Sequence, residues 1–331
     1  MSQVSAFPDP ARPMALDEAH AVFGAMLDGA GTDEEISTFL TALTERDETA
    51  DEIAGAAMAM RERMIAIDAP PHAIDVCGTG GDGQHTLNVS TAVALVVAAC
   101  GVPVAKHGNR AASSKAGGAD TLEALGVKLD IAPEVAEAQL ADLGICFLFA
   151  QAHHPALKRM APIRKSIGKR TIFNLLGPLA NPARVKRQLI GIARPDYVPI
   201  YTEALDRLGV ERAMIVSGEE GLDELSISGV SRFASIGFDL GHDIIAPEGV
   251  GLPRHPLSDI RGGDATFNAA ALRRLLEGEQ GAYRDAVLLN AAAALIVAGE
   301  AEDGEEAVEE AAEAIDKGLA NALLNCWIAW K

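Results

Sequence analysis

The chain has 331 residues, 49% of them hydrophobic and 23% charged, which excludes global disorder and predicts one large folded domain with a smaller one beside it. Lys and Arg number 28 against 47 Asp and Glu, a formal charge of −19 that repels nucleic-acid backbones and anionic membranes at long range. Neither is an expected partner.

In chain order, residues 15–68 read as helices. Residues 15–27 have helical spacing, Thr32 with Glu35 is a capping-box signature, and residues 51–64 repeat apolar positions. This part carries 14 acids and 4 bases over residues 1–70, and Pro70-Pro71 marks its boundary. Alternation follows: strands at 73–76, 102–105, 145–150, 189–192 and 213–217, helices at 91–100, 119–125, 133–143 and 198–208. That order predicts an α/β fold with a mostly parallel sheet, whose ligand loops follow Val76, Ala105, Ala150 and Ser217. Nine acids in residues 300–316 read as a solvated helix face.

Residues 1–13 show no signal-peptide pattern, and the longest apolar run, residues 92–100, falls short of the roughly 20 residues of a membrane span. Cys77, Cys100, Cys146 and Cys326 form no CxxC pair and read as four buried, reduced thiols in a cytoplasmic protein.

One stretch opposes the overall charge. Residues 151–200 hold ten bases and a single acid, Asp196. They predict a basic wall for a small anion, or else a partner surface for the acidic helices.

After the first predicted strand comes a run with Gly78, Gly80, Gly81 and Gly83, leading into a helix that opens with Asn88, Ser90 and Thr91. Glycines let backbone N–H groups approach an anion, and the helix adds its positive N-terminal end, so this is a phosphate cradle. The G-x-G-x-x-G spacing does not make it a dinucleotide site. Lys106, not an acid, ends the second strand, and Asp82 would repel a bare diphosphate unless a cation or a ribose hydroxyl faced it. Lys106, His107, Asn109 and Arg110 crowd a second loop directly after that strand.

At these loops the sequence resembles the anthranilate phosphoribosyltransferases. The likeness rests on GTGGDGQHTLNVST at 78–91, KHGNRAASS at 106–114, ADTLEALG at 119–126, the long segment 149–183, GLDELS at 221–226 and the GGDA at 262–265. It extends over residues 22–299 in order. The resemblance implies a small all-helical N-terminal domain, residues 1–70, completed by helices near 170–190. It also implies a larger α/β catalytic domain, residues 71–331, of the nucleoside phosphorylase and phosphoribosyltransferase kind. The implied reaction joins anthranilate to 5-phosphoribosyl 1-diphosphate (PRPP), releasing diphosphate, in the second step of tryptophan synthesis from chorismate. Mg²⁺ is implied as cofactor, two ions per subunit, in a homodimer with room for association with anthranilate synthase components.

Carried over by position, PRPP contacts fall on Gly78, Gly81, Asp82, Thr86, Asn88, Val89, Ser90, Thr91, Lys106, His107, Gly108, Asn109, Arg110, Ala111, Ala112, Ser113, Ser114 and Gly118. Anthranilate contacts fall on Gly78, Asn109 and Arg164, and metal contacts on Ser90, Asp223 and Glu224. His107 and His154 are candidate proton acceptors. The chemistry agrees, since a bidentate Arg164 suits a carboxylate and an acidic pair after a strand suits a hard cation. Two departures stand out: Gly118 replaces the usual Ser, and residues 44–49 differ from the usual helix–helix turn. A pyrimidine nucleoside phosphorylase of the same fold, and a silent relative binding nucleic acid through residues 158–187, are the competing expectations.

Overall fold

The computed structural model describes residues 7–111, 115–129 and 135–331. The helical start is built from α1 (Leu16–Leu27), α2 (Asp33–Glu45) and α3 (Ala50–Glu62). Thr32 caps α2 and Thr49 caps α3, each paired reciprocally with the Glu three residues on, so both helices begin where local chemistry dictates. The unusual turn at residues 44–49 is thereby explained. Arg46 reaches Glu52, and the Tyr197 hydroxyl donates to Glu48 Oε2 at 2.8 Å, tying the turn to the α/β part.

The rest alternates strands with helices. In order come β1 (Ile74–Gly78), α4 (Val89–Ala99), β2 (Val104–Gly108), α5 (Gly118–Leu125), α6 (Ala136–Leu143), β3 (Ile145–Phe149), α7 (Ala150–His153) and α8 (Leu157–Ile167). Then follow β4 (Arg187–Gly191), α9 (Val198–Arg207), β5 (Arg212–Gly218), β6 (Ser231–Ile236), β7 (Ile244–Ile245), α10 (Ala265–Leu276), α11 (Ala282–Ala298), α12 (Gly304–Asp316) and α13 (Leu319–Ala329). The predicted helix at 133–143 begins at Ala136, and its residues 133–134 lie outside the described residues.

Among the described residues the sheet has seven strands, in the order β3-β2-β1-β4-β5-β6-β7. The first five are parallel, and β6 and β7 add an antiparallel edge that periodicity does not reveal. The chain leaves β1 in one direction to β2 and β3, then returns to β4 and β5 on the other side. Between β1 and β4 the winding reverses, and the crevice at the carboxyl ends of such strands is where α/β sheets bind ligands. Gly78 pairs with Gly191 at that point.

One face of the sheet is covered by α4 and α11, whose residues 286–298 are buried throughout; this explains a helix with almost no polar side. The other face continues into the helical bundle through Ile190, Ile215, Tyr197 and Tyr201. The segments returning to the bundle are α8 and the stretch expected near 170–190, whose Ile172, Phe173, Leu176 and Leu179 join its core without forming regular helices. That stretch holds only the short 3-10 turns Ile172–Asn174 and Pro178–Ala180 before β4 begins, because Gly177, Pro178 and Pro182 interrupt any helix. The acidic 300–316 stretch does form a helix with solvated carboxylates. Of the cysteines, Cys77 and Cys146 are buried and Cys100 is half-buried, but Cys326 is exposed because its position on α13 turns outward.

Candidate active site

The glycine-rich run leaves β1 at the switch point and ends at α4. Asn88 stands at the N-cap without a side-chain cap. The capping role falls to Glu224, whose Oε1 accepts from the Ser90 N–H at 3.1 Å and so meets the positive end of α4. Asp223 lies beside it, and its Oδ2 accepts from the Gly80 N–H at 2.7 Å.

Only glycine permits this approach. A Cβ on Gly78 would sit 2.2 Å from Asp223 Oδ2, and one on Gly191 would sit 1.5 Å from the Asp223 carbonyl oxygen. The paired glycines on β1 and β4 therefore form the bed on which the Asp223-Glu224 dipeptide rests. Behind it, Asn290 of α11 grips Leu225 from both sides, its Oδ1 accepting from the Leu225 N–H at 2.9 Å and its Nδ2 donating to the carbonyl at 3.0 Å. A lone buried Asn within an apolar helix was the sequence signal for that clamp. Gly191 had no such signal.

The electrostatics are those of surplus negative charge. Burial pushes the Asp223 carboxyl up to about 7, with neighbouring Asp82 adding to the rise. Burial, then Asp223 and Asp82, push Glu224 well above the carboxylate range. Glu224 Oε2 is out of reach of water and has no hydrogen-bond partner among the described residues. Among those residues no three His, Cys, Asp or Glu side chains form a complete metal cage. A hard divalent cation fits this deficit if a bound phosphorylated molecule supplies its remaining oxygen ligands, as Mg²⁺ sites commonly require.

Lys106 comes from β2 and is nearly inaccessible, 4% exposed. Its Nζ donates to the Val76 carbonyl at 2.6 Å and to Ser90 Oγ at 3.3 Å, so it forms a charged floor under the cradle. Burial lowers its basicity, and Asp75 is the first of the acids opposing that.

The second loop is held shut by α5. Asp120 Oδ2 accepts from the Ala111 and Gly117 N–H groups, each at 2.9 Å, and the Arg110 guanidinium is engaged by Asp120 and Glu123. Arg110 thus shapes the loop. Asn109 is exposed, its Oδ1 accepting from the Arg110 N–H. Ala112, Ser113 and Ser114 lie outside the described residues.

Asn88 is largely committed to the fold. Its Oδ1 accepts from Thr121 Oγ1 and Asn268 Nδ2, and its Nδ2 donates to the Ala116 carbonyl. Thr86 makes a backbone bridge with Arg261, and Val89 is buried. Gly108 is half-buried at the end of β2. Gly118 has a clear neighbour: a Cβ there would come within 2.9 Å of Thr91 Oγ1, so the missing side chain lets the buried Thr91 hydroxyl pack against the start of α5.

His107 and His154 meet each other, with 3.3 Å between their Nε2 atoms, and His107 Nδ1 lies 2.9 Å from the Gly177 carbonyl. Burial lowers both, to about 3 and about 4, each helped by a neighbouring imidazole. Arg164 lies in the last turn of α8, its guanidinium 5.8 Å from the Phe173 ring centre. Among the described residues that ring is the guanidinium's one recorded partner, and no hydrogen bond joins it to Gly78 or Asn109. A half-buried cation of that kind is open to an anion from outside.

Comparison with known proteins returns one family twice. Residues 12–64 match the "Glycosyl transferase family, helical bundle domain" and residues 70–321 the "Glycosyl transferase family, a/b domain". An anthranilate phosphoribosyltransferase of Novosphingobium aromaticivorans is 68% identical over 323 residues, covering 97% of this chain and 98% of its own. The crystal structure of the Thermus thermophilus anthranilate phosphoribosyltransferase superposes with a TM-score of 0.92 at 44% identity, over 96% of each chain. The Saccharomyces cerevisiae enzyme in complex with PRPP and Mg gives 0.85 at 29% identity, over 95% of this chain and 93% of its own.

Proposed function

The chain belongs to the anthranilate phosphoribosyltransferase family, and from that premise we propose that it transfers the 5-phosphoribosyl group of PRPP to the amino group of anthranilate. The observation that carries this reading is the Asp223-Glu224 dipeptide, bedded on Gly78 and Gly191 and bonded to the glycine-rich loop and to α4. Phosphorolysis of a nucleoside would bring no cation to balance those carboxylates, which disfavours the phosphorylase alternative.

In this mechanism the N–H groups of the glycine-rich loop and of α4 receive phosphate oxygens, over the Lys106 ammonium. Arg164 takes the anthranilate carboxylate in a fork. Ser90, Asp223 and Glu224 would hold Mg²⁺, two ions per subunit, which when bound neutralises the diphosphate. The amine nitrogen forms its bond to ribose C1 as the C1–O bond to diphosphate breaks, and the electron pair leaves with the diphosphate. Orientation and charge stabilisation carry the rate, since the substituted anilinium formed at nitrogen is a strong acid that gives its proton to water or to the departing diphosphate without a strong base. His107 and His154, engaged with each other, are left out of proton transfer.

On the same reading residues 1–70 with α8 form the small domain, residues 71–331 the catalytic domain, and two copies pair through the helices in the cytoplasm. The test is a fluorescence assay of anthranilate with the full chain, PRPP and Mg²⁺. Anthranilate is expected to disappear, and chelation with EDTA is expected to stop it. No consumption, or full activity in chelator, would overturn the proposal.

A further inference from the structure

Several of the ten bases in residues 151–200 are taken up by structural contacts. Arg159 donates to the Met26, Ala30 and Gly31 carbonyls at the end of α1, Lys186 pairs with Glu211, and Arg194 pairs with Asp47. Arg170 differs. Among the described residues no carboxylate pairs with it, and its Nη1 donates to the Gly81 carbonyl at 3.0 Å, across 89 positions of chain. The guanidinium also lies against the Gly81 Cα, where an added Cβ would meet Nη1 at 3.0 Å and Cζ at 3.3 Å. Gly81 itself holds a left-handed φ of +72°.

The chain beyond Arg170 belongs to the bundle core. Thr171 starts a 3-10 turn, its N–H donating to Asn174 Oδ1 at 3.0 Å, and Ile172 is fully buried. Phe173 stands edge-on to Phe23 of α1 with 6.0 Å between ring centres, and it is the ring that Arg164 overlies. Arg170 therefore spans from the helical core to the phosphate cradle.

The run has other ties among the described residues: Thr79 N–H donates to the Gly191 carbonyl at 2.9 Å, Gly80 N–H to Asp223, Gln84 Nε2 to the Glu220 carbonyl at 3.0 Å, and the His85 carbonyl accepts from Gly262 N–H at 2.8 Å. Those partners lie at the end of β4, after β5 and before α10. Arg170 instead reaches the run from the segment that enters the bundle core. Because the peptide is planar and trans, fastening the Gly81 carbonyl also sets the direction of the Asp82 N–H, which points away from Arg170.

We propose that Arg170 is a positioning residue for the transfer reaction: it holds the glycine-rich loop in its donor-binding shape and couples that loop to the core that carries Arg164. This rests on the reading of the loop as the PRPP site given above. Two measurements on the full chain test it. In Arg170→Ala, the KM for PRPP should rise about tenfold or more while that for anthranilate changes little, the loss expected from one charged hydrogen bond that orients a binding loop. Arg170→Lys should recover part of this, because an ammonium can still donate to the carbonyl but cannot stack on Gly81. Hydrogen exchange on the substrate-free protein should be faster at residues 79–85 in Arg170→Ala and unchanged in α1–α3. That second measurement needs no substrate, so a wild-type protein without transferase activity would refute the functional reading while the tether remained testable. Unchanged exchange at residues 79–85, or an equal rise in both KM values, overturns the inference.

Discussion

Glu52 in the helical bundle and Glu224 in the crevice are the same side chain under opposite management of charge. Glu52 has no exposure, and burial alone would raise its carboxyl. Arg46 and the N–H groups of Thr49 and Met14 outweigh that and hold it below the usual range. Among the described residues Glu224 has one N–H, from Ser90, and no ion pair; burial and two acidic neighbours outweigh the nearby Lys106, and it is driven the other way. A region that serves the fold balances its buried charges internally. A region that leaves them unbalanced is built to receive charge from elsewhere, which is why strongly shifted groups mark sites.

The sharpest way to break this contrast is to neutralise the crevice. Asp223→Asn with Glu224→Gln should lower turnover by about a hundredfold or more and alter the Mg²⁺ dependence of what remains, without loss of melting temperature in the cation-free protein. An unchanged Mg²⁺ titration would remove both residues from the proposed metal site.

Neutralising the bundle should do the reverse. Glu52→Gln leaves Arg46 without its partner and should cost about 3 kcal/mol of stability by denaturant unfolding, with KM values intact. Because the folded carboxyl sits below its ordinary 4.5, its contribution is complete above that pH and is lost as pH falls through the folded value. The stability gap between wild type and Glu52→Gln should therefore narrow in acid; a gap that widens there would contradict the ion-pair account.

The smallest effect concerns the acceptor. Arg164→Ala should raise the KM for anthranilate by about tenfold, with the PRPP value nearly constant, since among the described residues the guanidinium it removes overlies the Phe173 ring and pairs with no carboxylate. Equal rises would separate Arg164 from carboxylate recognition.

Much of the site was legible because its signals are local. The glycine run, the basic loop after β2 and the acidic pair after β5 each stand at the end of a strand, and the strand pattern announced where those ends fall. Roles were less legible than positions. Arg110 and Asn88 look like ligand groups in the sequence, yet Asp120, Glu123, Thr121 and Asn268 occupy much of their hydrogen-bonding capacity. His107 and His154, 47 positions apart, carry no hint of their mutual contact.

Turn chemistry, capping and hydrophobic period act over a few neighbouring residues, so the amino-acid order alone determined the helical start, the alternating α/β body and the glycine-rich loop at the end of β1. The pairing of Gly78 with Gly191, the Asn290 grip on Leu225 and the reach of Arg170 to Gly81 belong to tertiary structure. They join segments with no local energetic preference for one another, and only the winding of the sheet and the packing of the bundle bring them within bonding distance.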